Sequence, residues 1–190
     1  MSLLKKLGYN RKEEVLEFNN KRSCGLWLLL IGLVLAISLA CGGDFYINPF
    51  VFLAGYYICF YIANINKKVR QHFSNGKSSK FQIKIVYISL ALLFILMFLI
   101  AGPFFAGFRW KFIWLGVLLA TGIHFLVLYY THGKSMLLIG FLCSINAVLG
   151  YILKDVPFVY FGAVDAIIKI LFGLYLLFLS KPSTSKKYIK

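Results

Sequence analysis

The chain has 190 residues, 61% of them hydrophobic, and a mean hydropathy of +0.81. Soluble domains are roughly half apolar, so this composition excludes an ordinary water-soluble globule and points to a bilayer as solvent. Lys and Arg number 21 against 6 acidic residues, a formal charge of +15. They sit in short segments between apolar runs rather than along one polar face, which argues against a nucleic-acid partner and for anionic lipid as the counter-charge.

In chain order, residues 1–22 read as a cytoplasmic leader in which Leu3, Leu4, Leu7, Val15, Leu16 and Phe18 alternate with basic residues. Such a segment either lies along the inner membrane surface as a helix or is a short solvated arm. Residues 23–180 read as the membrane domain, and 181–190 as a basic cytoplasmic tail. Counted against a hydrocarbon core of about 30 Å, the apolar runs predict six spans. These are residues 24–41, 49–65, 83–101, 110–130, 135–153 and 157–179. The expected fold class is all-α, an integral membrane helical bundle of six transmembrane helices. Pro49, Pro103 and Pro157 fall in the connections, where a missing N–H is harmless. Each begins a Pro-Phe pair, and they lie 54 positions apart. Little else aligns at that offset, so the spacing is read as coincidence rather than as three repeated hairpins.

Lys and Arg near span ends are retained on the cytoplasmic side. The leader, the second connection (Lys67 to Lys84), Lys134 and the tail hold most of them, whereas the opposite connections hold only Arg109, Lys111 and Lys154 beside Asp44 and Asp155. Both termini are therefore expected in the cytoplasm, in a plasma membrane. Trp27 near the inner boundary and Trp110 and Trp114 near the outer one match aromatic interface belts.

Cys24, Cys41, Cys59 and Cys143 form no CxxC pair and read as small hydrophobes. Ser38-Leu39-Ala40-Cys41 resembles a lipoprotein cleavage site imperfectly, because Ser38 stands where such sites carry Leu and the basic segment before it is long for a signal peptide.

Charged or strongly polar residues deep in a span are costly unless paired or facing a wet cavity, so they are the best pointers to function. Asp165 and Lys169 are four apart on the sixth span, on one helix face and within pairing reach. Asn146 lies near the middle of the fifth span and His124 inside the middle of the fourth. The four form the expected midplane polar cluster. Small residues share their faces: Gly116 and Ala120 on the fourth span; Gly140, Cys143, Ala147 and Gly150 on the fifth; Gly162, Ala166 and Gly173 on the sixth. Close backbone approach through such residues drives helix association in lipid, so these three spans are expected to pack as neighbours with the stripes inward. The first and third spans offer no comparable polar face.

Enzymatic chemistry is not expected. Ser38, Ser89 and Ser144 have no histidine that the sequence would pair with them, and Glu13-Glu14 lacks the His-rich helices of membrane metalloproteases. Gly133-Lys134-Ser135 lacks the rest of a phosphate loop, and a haem would need a second buried histidine, so no cofactor is expected. Two readings remain. One is transport of a small solute or ion, including proton-linked transport, through the midplane cluster. The other is a non-catalytic accessory, assembly, sensing or immunity subunit that binds another membrane protein, or a second copy of itself. A small-residue stripe left facing lipid would favour the second.

His132-Gly133-Lys134-Ser135-Met136-Leu137-Leu138-Ile139-Gly140, then Asn146 to Tyr151, then Pro157 to Lys169 resemble an uncharacterised group of small multi-pass bacterial membrane proteins. The resemblance covers about the last third of the chain. It implies a helical membrane fold in a bacterial plasma membrane, and no particular chemistry.

Overall fold

Asn20 precedes the first long helix, α1 (Lys21–Ala40), and its carbonyl accepts the Cys24 N–H. The helix begins at Lys21 rather than at Cys24, because the side chain of Arg22 finds a partner: its Nε donates to the Leu177 carbonyl at 3.2 Å, satisfying an acceptor near the end of the last span. The computed structural model describes residues 16–181 and 183–184, so most of the expected leader helix and of the basic tail lies outside the described residues. Glu17–Phe18 and Ser183–Thr184 pair as a two-residue antiparallel ladder, the one departure from an all-α chain among the described residues.

Helix α2 (Pro49–Phe60) starts at Asn48, whose side chain accepts the N–H groups of Phe50 and Val51, with Pro49 at the first helical position. A π-type turn, Tyr61–Ile65, extends it. Asn66 then turns extended and its side chain caps the next helix, α3 (Lys67–Phe73), by accepting from Lys68 and Val69. The two helices meet at a bend of 65°. Helix α3 thus occupies part of what the sequence reading treats only as a basic connection.

Helix α4 (Lys80–Leu96) starts with a reciprocal capping box between Ser79 and Gln82, which begins it ahead of the expected residue 83. It continues through a π-type turn, Met97–Ala101, into a 3-10 turn, Gly102–Phe104. Pro103 therefore sits at the end of a helix, whereas Pro49 and Pro157 stand at helix starts, so the three Pro-Phe pairs occupy unequal places. Next come α5 (Trp110–Val127), the short α6 (Tyr129–His132), α7 (Ser135–Ile152) and α8 (Phe158–Leu174) with its extension Tyr175–Leu179. Gly133, at φ +88°, makes the turn between α6 and α7.

Among the described residues five helices are long and apolar enough to cross a membrane, and the bent pair of α2 and α3 would make a sixth if it counts as one span. Their outward faces are apolar: Phe50 is 80% exposed and Phe98 79%. So large an apolar exterior is what lipid requires and water penalises, and it suggests a membrane protein.

Packing follows the glycines. A Cβ on Gly25 would lie 2.5 Å from the Leu177 nitrogen, and one on Gly173 would lie 2.5 Å from the Leu29 nitrogen, so α1 and α8 touch backbone to backbone. Gly122 and Gly140 do the same for α5 and α7. The α1–α8 and α5–α7 pairs are the two most extensive in the molecule, and α7 packs on α8 to join them. The expected neighbour relation among the last three spans is thus present, but α8 packs chiefly on α1. Glycines on α1, Gly25 and Gly32, supply that surface.

Around the bundle the order is α2, α1, α8, α7, α5, α4. The helices at the two ends of this series, α2 and α4, share no extended interface, which leaves the bundle open along one side. One end of the bundle gathers the start of α1, the close of α8, the turn at Gly133 and the approach to α4, through Asn20 Nδ2 to Ser78 Oγ, Gln82 Nε2 to Tyr130 O, and Lys21 to the Lys181 carbonyl. This is the basic end. At the opposite end Lys111 Nζ donates to the carbonyls of Lys154 and Val156, and Trp114 Nε1–H donates to Phe45 O at 2.7 Å. Trp114 is buried there rather than lying at a surface belt.

Candidate functional site

On α8, the i, i+3, i+4 spacing of Gly162, Asp165, Ala166, Lys169 and Gly173 puts all five on the face turned into the bundle, and all are buried. Asp165 is fully buried and Lys169 is 2% exposed. Lys169 Nζ donates to Asp165 Oδ2, closing an ion pair within one turn of helix. Asp165 Oδ1 has no nitrogen or oxygen partner among the described residues, and the Cys143 thiol of α7 is the pair's neighbour. The ammonium lies 6.0 Å from the centre of the Phe125 ring of α5.

The other two residues of the expected cluster are satisfied elsewhere. Asn146 Nδ2 donates to the Phe161 carbonyl at 2.8 Å, one turn from Asp165, and so stitches α7 to α8. His124 Nδ1 lies 2.7 Å from Ser89 Oγ and 2.8 Å from the Ser89 carbonyl, and stitches α5 to α4. In one tautomer Nδ1–H donates to the carbonyl and Nε2 is left as an acceptor. In the other, the Ser89 hydroxyl donates to Nδ1 and Nε2–H is left as a donor. The sequence reading gives Ser89 no histidine partner and the third span no polar face, and both points are corrected here: Ser89 and Gln82 of α4 are buried and hydrogen-bonded. Ser89 is legible as the lone small hydroxyl in an apolar run, but its partner lies 35 residues away on another span.

A cavity of about 360 Å³ brings His124 and Lys169 back together. It lies behind the open side of the bundle, walled by α1, α2, α4 and α5, and both side chains line it. Asn146 and Asp165 do not. Thr121 of α5, Ser23 at the basic end, and Val86, Leu90 and Leu93 of α4 are among the lining residues that hydropathy alone does not single out. The ion pair therefore presents its cationic end to the cavity and keeps its carboxylate behind it. Such an arrangement can attract a hydrogen-bond acceptor or an anion, because an ammonium has three N–H donors and Asp165 Oδ2 takes one of them.

Among the described residues no group of three or more His, Cys, Asp or Glu side chains stands together as a metal-ligand set. Ser89 is fully buried in its contact with His124, so its hydroxyl serves as a tether between helices in this arrangement.

No curated protein and no solved structure matches the chain. The model of a family of unknown function, DUF6609, matches residues 11–186, nearly the whole sequence and far beyond the last third in which a resemblance to an uncharacterised group is read. The chain belongs to the DUF6609 family.

Proposed function

We propose that this protein is a six-span protein of the bacterial plasma membrane, with both termini in the cytoplasm, that binds a small solute in the middle of the bundle and transports it. One observation carries the reading: Lys169, held in a buried ion pair with Asp165, also lines a cavity of about 360 Å³. A purely structural pair gains nothing from an adjoining cavity, since empty space forfeits packing. A binding site requires one.

The ion pair also supplies a coupling device. A solute acceptor that draws Lys169 toward the cavity weakens its contact with Asp165, so occupancy of the cavity and the state of the pair are linked. The imbalance of basic residues between the two ends supports the orientation, and the resemblance of the last third supports the bacterial membrane.

The alternative, an accessory or assembly subunit that binds another membrane protein, draws on α2, which packs on α1 and exposes Phe50, Leu53, Tyr57 and Ile58. The small-residue stripes favour the first reading, because Gly116, Gly122, Gly140, Gly162 and Gly173 all press on other parts of the same chain. The discriminating experiment uses a variant without the four native cysteines that carries Thr121→Cys in the cavity wall. A transport site is reached from water, so a small charged thiol reagent should modify the thiol introduced at position 121 from at least one side of the membrane. Complete protection from both sides would remove the transport reading.

A further inference from the structure

The lining of the cavity is graded along its length. On α1 it runs from Ser23 to Leu35, about 18 Å at 1.5 Å per residue. A volume of about 360 Å³ spread along so long a face makes a narrow slot rather than a round pocket. Of its polar side chains, Ser23, Asn64, His124 and His132 lie toward the basic end, whereas Thr121 and Lys169 lie nearer the middle of its length, with Tyr56 and Tyr57 on the α2 wall. The half toward the opposite end is apolar, walled by Leu35, Phe52, Leu93, Met97 and Val117. The slot borders the side where α2 and α4 stand apart, so its open edge faces the surroundings of the apolar exterior rather than a loop.

We infer that the slot takes a long-chain carboxylic acid from the bilayer, its carboxyl group meeting Lys169 and His124, the near part of its alkyl tail lying in the apolar half and the remainder passing out between α2 and α4 into lipid. The inference deepens the proposed solute site and rests on it. An elongated apolar slot matches a single flexible chain, and burying such a chain is favourable methylene by methylene. The head is chosen by charge. Only the cationic end of the ion pair reaches the slot, so a cationic head is repelled and a neutral alcohol, though it can accept from the ammonium, forgoes the ionic attraction that a carboxylate adds. A phosphate would carry more charge into low dielectric, whereas a carboxyl group can enter protonated and, as it meets Lys169, pass its proton to His124 Nε2 in the tautomer that leaves that nitrogen an acceptor. The gap between α2 and α4 lets the tail enter sideways, without the whole amphiphile crossing water.

The test uses the full-length protein in lipid nanodiscs and a palmitic acid analogue with a photoreactive diazirine near the middle of its tail. Irradiation should label residues of α2, α4 or α5 in the apolar half, and palmitate should suppress labelling at least about tenfold better than hexadecanol, the factor that about 1.4 kcal/mol in head-group recognition produces. Val117→Trp and Leu93→Trp fill the slot from opposite walls. Each should cut labelling about tenfold in protein that elutes and melts like wild type. Asp165→Asn with Lys169→Met should abolish the preference for acid over alcohol while tail labelling persists. Equal suppression by palmitate and hexadecanol, or labelling indifferent to both tryptophans, overturns the inference. If it is overturned while the Thr121→Cys thiol still reacts from water, the occupant is wrong and the solute site stands. If that thiol is also protected, the site itself fails.

Discussion

His124 on α5 and Ser89 on α4 meet through both the hydroxyl and the carbonyl of the serine, at 2.7 and 2.8 Å from one ring nitrogen. This contact holds α4 to α5 on one flank of the open side and engages only Nδ1 of a ring that also lines the cavity. Because the carbonyl remains when the hydroxyl is removed, Ser89→Ala should cost little, about 0.6–1 kcal/mol, the usual scale for such bonds between membrane helices. His124→Leu removes the ring nitrogen that serves either partner and should cost more. Reversible unfolding in mixed detergent measures the two. A loss for Ser89→Ala equal to that for His124→Leu would mean that the hydroxyl alone carries the contact.

The pairing of α1 with α8 rests on bare backbone. Gly173→Ala would put its Cβ 2.5 Å from the Leu29 nitrogen, and neither backbone can yield without moving a helix. Overpacking of this kind costs typically about 1–3 kcal/mol. Gly102→Ala is the control, since nothing lies within 4 Å of its would-be Cβ. Melting temperatures in one detergent should fall clearly for the first and hardly move for the second. Equal shifts would contradict the packing described.

His132 sits at the turn before α7, outside the long apolar spans, and burial pushes its imidazole down from 6.5 to about 4, partly offset by a backbone hydrogen bond at Asn20. A ring kept neutral in the fold and free to charge when unfolded contributes its full stability above pH 6.5. As pH falls from 6.5 toward about 4 the unfolded state takes up the proton first, and stability should decline by up to about 1.4 kcal/mol per pH unit. Thermal melts across that window should show the decline in wild type and a shallower one in His132→Gln. Identical slopes would show that His132 is not the group responsible.

Orientation has a direct check. In the cysteine-free background, Ser78→Cys, between α3 and α4, should resist an impermeant thiol reagent applied to intact cells, and Asp155→Cys, between α7 and α8, should react. Labelling of the Ser78→Cys variant beside protection of the Asp155→Cys variant would invert the topology.

Much of this architecture can be read from the apolar runs, because a span must satisfy its own backbone and so announces itself by length and composition. Starts and bends escape such a reading. Lys21 and Arg22 are charged, yet they belong to α1 because Arg22 reaches the Leu177 carbonyl 155 residues away. Asn66 bends the chain by capping with its side chain, a choice that hydropathy does not register. At the site, Asp165 and Lys169 are four apart on one helix, so local spacing reveals them. His124 and Asn146 share their depth, but depth does not say which neighbour each will bond. Ser89 and the Phe161 carbonyl, contributed by helices whose packing order is not written locally, decide that. The cavity is less legible still, since it is made by the absence of an interface between α2 and α4.

The central claim is that the Asp165–Lys169 pair works rather than merely holds, and removing one charge or both separates the two roles. Asp165→Asn alone strands Lys169 in low dielectric and should cost about 3–5 kcal/mol of stability. Asp165→Asn with Lys169→Met removes the stranded charge and should recover most of that loss. The measurement is thermal stability in detergent, taken together with complementation of the growth phenotype of a deletion strain. The account predicts a double variant that is stably inserted and inactive. A double variant that is stable and fully active would show that the pair is only structural, and would contradict the proposed site.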